Sequence, residues 1–217
     1  MKFLNLTFLF LLACLFCQAQ SQSVRLSTSK GDITLLLYDD TPLHRDAFLK
    51  SIREGVYKDA VFNRVIKDFV SQGGELDETI LNREKQHPEV PLKRIKAEIR
   101  SGHFHKRGAL GAGRNDNPDK NSYLSQIYLV AGKKFTTQQL DELLQKKGLK
   151  LSTDQRATYL SIGGTPHLDG DYTVFGEVIK GMEVAEAINL VPTNANDLPV
   201  TPVVFSAEIL NNANSHR

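Results

Sequence analysis

The sequence predicts a mainly β chain, an antiparallel barrel with helices at its ends. Three observations lead there. Short runs of alternating or β-branched residues recur along the chain between turn residues. Strands and helices do not alternate as a parallel sheet requires, and the helical patterns are few and isolated. The chain has 217 residues, of which 41% are hydrophobic and 24% charged. That balance supports one core, and the length favours one domain carrying insertions over two full domains.

Val24, Leu26 and Thr28 alternate with polar residues, Gly31-Asp32 turns the chain, and Ile33 to Tyr38 returns it, so the segment reads as a hairpin. Thr41-Pro42 supplies a cap followed by a first-turn proline, with Leu43, Ala47, Phe48 and Ile52 as the apolar face of a helix that Gly55 ends. Val61 to Ile66 and Phe69 to Gln72 form a second strand pair around Lys67-Asp68, broken by Gly73-Gly74. Residues 75–100 are charged and turn-rich and read as a surface excursion, with a short strand near Ile95 to Ile99. Gly108 to Gly113 alternates small residues around Leu110, and Tyr123 to Val130 reads as a strand after a polar loop. Thr136 and Ser152 each open a capping box, with Gln139 and Gln155 three residues on. Helices are therefore predicted over 137–147 and 153–160, the first turning Leu140, Leu143 and Leu144 inward and ending at Gly148. Thr173 to Val178 is a strand, Met182 to Leu190 a helix and Val203 to Leu210 the last strand.

The first residues concern location. Lys2 precedes an apolar run from Phe3 to Phe16, too short to span a membrane, and Cys17-Gln18-Ala19 offers a small residue for cleavage. Residues 1–19 thus read as a signal peptide and 20–217 as the mature domain, periplasmic or secreted. An alternative is a lipoprotein anchored through Cys14, since Leu11-Leu12-Ala13-Cys14 resembles a lipoprotein cleavage box. The only cysteines are Cys14 and Cys17, so cleavage after Ala19 leaves no thiol chemistry. The net charge of +2, with both signs spread along the chain, argues against nucleic acid or an anionic membrane surface as partner.

The most informative segment runs from Phe62 to Gly74. On strand period Arg64, Phe69 or Val70, and Gln72 share one face, mixing a cation, apolar groups and an amide. By itself such an arginine reads as a surface cation in a weak ion pair. The segment Phe62-Asn63-Arg64-Val65-Ile66 to Phe69-Val70-Ser71-Gln72-Gly73-Gly74, however, resembles the signature of the cyclophilin family. Two further blocks match in the same order. They are Gly108 to Arg114 with Ser125-Gln126-Ile127-Tyr128, and His167-Leu168-Asp169-Gly170 with Tyr172 to Gly176. The resemblance covers about Val24 to Leu210, interrupted at 75–100 and 131–163.

The resemblance implies a closed eight-stranded antiparallel barrel capped by two helices. It implies peptidyl-prolyl cis–trans isomerase activity without a cofactor or metal, acting as a monomer on proline-containing segments of exported or unfolded proteins. Arg64 would be the donor to the twisted prolyl nitrogen, and Gln72 would orient Arg64 or bind the substrate carbonyl. Phe69, Val70, Tyr128 and Leu168 would form the proline pocket. Gln126 and the backbone around Gly113 and Arg114 would hold the peptide before the proline. Tyr172 stands where the family often has histidine, and its hydroxyl would serve as the same donor. The helical insertion reads as surface decoration more than as a shaper of access. A proline-recognising module or chaperone with negligible turnover is the alternative function.

The departures from the pattern matter. Asn63 replaces a histidine beside the arginine, weakening its support. Tyr128 replaces a phenylalanine and brings a hydroxyl that needs a partner. Gly113 replaces an alanine, enlarging the wall. His167 stands where many members carry tryptophan, a position tied to their cyclic-peptide inhibitor. His103-x-His105 lacks a third ligand in sequence and reads as a surface loop. No Ser–His–Asp arrangement or phosphate loop is evident; Gly73-Gly74 and Gly163-Gly164 lack the residues that should follow.

Overall fold

The computed structural model describes residues 22–210. The expected signal peptide and Cys14 lie outside the described residues. Eight strands close a barrel: β1 (Ser23–Thr28), β2 (Gly31–Leu37), β3 (Ala60–Ile66), β4 (Val70–Gly74), β5 (Ala109–Ala112), β6 (Gln126–Val130), β7 (Val174–Lys180) and β8 (Val203–Leu210). Their order around the barrel is β1-β2-β7-β5-β6-β4-β3-β8, with every neighbouring pair antiparallel.

Period-two alternation sends Val24 and Leu26 of β1, and Ile33, Leu35 and Leu37 of β2, into one core with Phe62, Leu110, Ile127, Leu129 and Phe205. Helices α1 (Pro42–Arg53) and α5 (Met182–Asn189) complete that core with Phe48 and Leu49 from the first, and Ala185 and Ile188 from the second. No helix among the described residues is long and apolar enough to cross a membrane.

The insertion forms α3 (Thr137–Lys147) and α4 (Thr153–Ser161), each opened by a complete capping box at Thr136 and Ser152. Gly148 ends α3 at φ 64°, the left-handed conformation that a β-carbon disfavours. Leu140 is buried, while Leu143 and Leu144 are only partly so. The excursion departs from expectation. It contains α2 (Asp77–Gln86), which anchors itself through buried Ile80, and the strand expected near Ile95 is a single bridge between Ile95 and Ser122.

The return of that excursion braces α1. Thr41 does not cap the helix with its side chain; its hydroxyl donates to the Tyr38 carbonyl instead. The carboxylate of Glu98 takes the cap, accepting from the backbone N–H of Leu43 at 3.1 Å and of His44 at 2.9 Å. The same Glu98 lies 2.7 Å from His44 Nδ1, and His44 Nε2 lies 3.0 Å from Ser122 Oγ. Serine, histidine and glutamate stand here in the order of an acyl-transfer triad. Ser122 is fully buried, however, so the arrangement serves as an internal brace.

Burial lowers the His44 pKa below its ordinary value of 6.5, against a smaller upward pull from Glu98. Above that value the imidazole is neutral in both folded and unfolded chains. As pH falls below it, the unfolded chain takes up a proton that the fold resists. Stability then declines by at most about 1.4 kcal/mol per pH unit from this group. Thermal melts are expected to be level for this contribution between pH 7 and 8 and to shift downward from pH 6.5 to 5.

Candidate active site

Strand register builds the site. Arg64 on β3 pairs with Gln72 on β4, Gln72 pairs with Tyr128 on β6, and Tyr128 pairs with Gly111 on β5. A transverse row of positions on four neighbouring strands shares one face. Val70 and Gln126 lie two residues from Gln72 and Tyr128 on the same strands, and so on the same side. Gly111 is needed in that row, because a β-carbon there would sit 2.2 Å from the Tyr128 ring.

All ten residues singled out from the sequence line one cavity of about 270 Å³: Arg64, Phe69, Val70, Gln72, Gly113, Arg114, Gln126, Tyr128, Leu168 and Tyr172. Asp77, from the first turn of α2, joins them. Phe69, Val70, Tyr128, Leu168 and Tyr172 pack in one apolar cluster. Arg64 and Gln72 line the same cavity. The lining contains no serine, threonine, cysteine or histidine.

The Arg64 side chain is 42% exposed, and its one ion pair among the described residues is a long contact of 3.5 Å from Nε to Asp197 Oδ2. Asp197 is placed by its own backbone, whose carbonyl accepts from Val65 N–H at 2.8 Å. Among the described residues Gln72 makes no hydrogen bond to Arg64, so its amide is available to a ligand. Asn63, next to Arg64 in the chain, makes no side-chain hydrogen bond to it among the described residues. It is buried, with its amide nitrogen donating to the Gly74 carbonyl and its Oδ1 without a partner.

Gln126 is 2% exposed, and its amide nitrogen donates to the Glu75 carbonyl at 3.0 Å and to Asp77 Oδ1. A β-carbon at position 113 would lie 1.7 Å from Gln126 Oε1. Gly113 therefore does not enlarge the wall; it makes room for a locked glutamine. Arg114 donates from Nε to the Asp171 carbonyl at 2.7 Å and from Nη1 to the Asn115 carbonyl at 2.8 Å. Its guanidinium lies 4.6 Å above the Tyr172 ring, and that ring meets Tyr128 edge-on at 6.1 Å.

His103-x-His105 lies in a loop, as expected, but His105 turns into the interior. His103 stacks on Tyr38 at 3.9 Å and bonds Asp40. His105 is 1% exposed, and its Nε2 lies 2.8 Å from the Tyr128 hydroxyl. This is the partner that the tyrosine requires. Burial raises the Tyr128 pKa well above its ordinary value, with Tyr172 and Asp169 adding to the effect, so the phenol stays protonated. No group of three potential metal ligands occurs among the described residues. His167 stacks on Phe69 at 5.1 Å, and burial, then Lys147, lowers its pKa.

The cavity thus offers a permanent cation and a free amide facing an apolar, aromatic floor. It suits a small apolar ring attached to a polar backbone.

The family model described as "Cyclophilin type peptidyl-prolyl cis-trans isomerase/CLD" matches residues 23–208. A putative bifunctional phosphatase/peptidyl-prolyl cis-trans isomerase of Streptococcus pyogenes is 32% identical over 185 residues, 84% of this chain but only 37% of that protein. A putative peptidyl-prolyl cis-trans isomerase of Staphylococcus epidermidis is 31% identical over 185 residues, covering 85% of this chain and 89% of that one. A Cryptosporidium parvum cyclophilin-type isomerase, solved in the presence of the dipeptide Ala-Pro, aligns with a TM-score of 0.61 at 21% identity, over 88% of this chain and 100% of that one.

Proposed function

This chain belongs to the cyclophilin-type peptidyl-prolyl cis–trans isomerases, and on that premise we propose that it isomerises X–Pro bonds of exported proteins at the Arg64 cavity. The observation that carries the assignment of roles is the register row of Arg64, Gln72 and Tyr128, which brings a cation and an amide into the cavity that the apolar residues line.

Rotation about an amide faces a barrier of about 18–20 kcal/mol, because the nitrogen lone pair is delocalised into the carbonyl. At the top of that barrier the prolyl nitrogen is pyramidal and its lone pair is localised. A donor aimed at that nitrogen stabilises the transition state more than either ground state, and this difference is catalysis. Arg64 supplies the donor and keeps its charge at any working pH. Phe69, Val70, Tyr128 and Leu168 hold the proline ring, and Gln72 takes the carbonyl. Gln126 is committed to Glu75 and Asp77, so it shapes the wall. The extended peptide before the proline falls to the backbone of Arg114, whose N–H and C=O bind nothing within the described residues.

Residues 1–19 direct export to the periplasm or the medium, with a lipid on Cys14 as the competing outcome, and the protein works as a monomer. The test of function is cis–trans exchange of a proline tetrapeptide. The native protein is expected to accelerate exchange; binding of the peptide with no acceleration would identify a recognition module instead. Because His167 stands in place of a tryptophan and packs on Phe69, the cyclic-peptide inhibitor of the family is expected to act weakly. Submicromolar inhibition in the same assay would contradict that.

A further inference from the structure

A buried chain of hydrogen bonds joins the helical insertion to the cavity floor. Tyr159 on α4 is fully buried and donates its hydroxyl to Asp169 Oδ2 at 2.6 Å. The other oxygen of Asp169 accepts twice from His105, from the backbone N–H at 2.9 Å and from Nδ1 at 2.8 Å. With the proton on Nδ1, Nε2 is an acceptor, and the Tyr128 hydroxyl donates to it at 2.8 Å. Each donor and acceptor is thereby matched, with directions running from both tyrosines toward Asp169.

The backbone follows the same path. Thr165, just after the insertion, donates its N–H to the His105 carbonyl at 2.8 Å. Gly164 crosses so closely that a β-carbon would lie 2.2 Å from that carbonyl and 2.6 Å from the Tyr159 ring. The insertion is therefore no decoration: its return is laced onto the segment carrying His105.

We infer that residues 131–163 belong to the isomerase site. Through Tyr159, Asp169 and His105 they hold the Tyr128 hydroxyl away from the cavity and fix its ring as the pocket floor, so that His105 and Tyr159 are positioning residues. The inference rests on the proline-pocket reading above. Its physical basis is that a buried hydroxyl without a partner is costly. Deprived of His105, the phenol must turn toward the open cavity, tilting the ring across the place where proline sits.

The experiment measures kcat/KM on a proline tetrapeptide for His105→Leu and Tyr159→Phe, each with and without Tyr128→Phe. His105→Leu is expected to lose about 10-fold, less than the ~100-fold that a full 1 Å misplacement can cost, and Tyr159→Phe, which keeps the ring packing, about threefold. Adding Tyr128→Phe removes the hydroxyl that His105 holds, orphaned in one variant and loosely held in the other, and should erase both losses relative to Tyr128→Phe alone. A purely structural role for His105 or Tyr159 would show no such rescue. Tyr159→Phe carries the same test if His105→Leu does not fold. An active native protein whose losses are absent, or persist with Tyr128→Phe, overturns the inference alone. A native protein inactive on proline peptides overturns the function and the inference with it.

Discussion

Arg64→Ala is expected to lower kcat/KM on a proline tetrapeptide by about 100-fold or more, the scale of a lost transition-state donor. The thermal transition should barely move. Two features separate activity from stability here. The guanidinium is 42% exposed, and its only ion pair among the described residues is the 3.5 Å contact with the half-exposed Asp197; such surface pairs contribute about 0–1 kcal/mol. Neither β3 pairing nor the core depends on the side chain, since Phe62 and Val65 supply the inward face of that strand. Arg64→Lys makes the comparison sharper. It keeps the charge but loses the planar fork, so it should recover only part of the activity. Exchange rates by NMR, with melts of all three proteins, decide the matter. A variant that retains native turnover would remove Arg64 from the mechanism.

The largest stability effect should come from a residue with no contact to the cavity. Glu98→Ala is expected to destabilise the fold by about 3–5 kcal/mol, because its buried carboxylate is the acceptor for several donors that would be left without one. Three donors lose their acceptor at once: the Leu43 and His44 backbone N–H groups and the His44 ring. Each orphaned buried group costs about 1–3 kcal/mol, and their shared site makes the sum less than additive. Glu98→Gln keeps one carbonyl oxygen for the helix cap and should lose clearly less. Urea unfolding measures both; a shifted midpoint with an unchanged slope would place the effect in the native state. A loss below about 1 kcal/mol for the alanine variant would mean that water replaces the carboxylate.

The two proteins also differ in what they report about the site. Arg64→Ala tests chemistry on an intact scaffold. Glu98→Ala tests the scaffold, because the segment that carries Glu98 pairs through Ile95 with Ser122, just ahead of the strand that bears Gln126 and Tyr128.

How far the sequence could be read depended on the range of each interaction. The hairpin of β1 and β2, the strand face carrying Arg64 and Gln72, and the capping boxes of α3 and α4 depend on residues within a few positions of one another. Periodicity and capping chemistry are local and therefore legible, and the three motif blocks contain ten of the residues that line the cavity. Helix α2 was missed because one buried residue, Ile80, gives no apolar stripe. Its signal was electrostatic, with Asp77 and Glu78 in the first turn and Arg83 and Lys85 in the last. Glu98 capping a helix 54 residues away, His105 meeting Tyr128, Tyr159 reaching Asp169, and Gln126 filling the space over Gly113 left no local trace. Thus the residues themselves determined the barrel, its chemistry and the face that bears it. Only the tertiary structure decided which partner each buried polar group would find, because that depends on distances between segments the chain alone does not order.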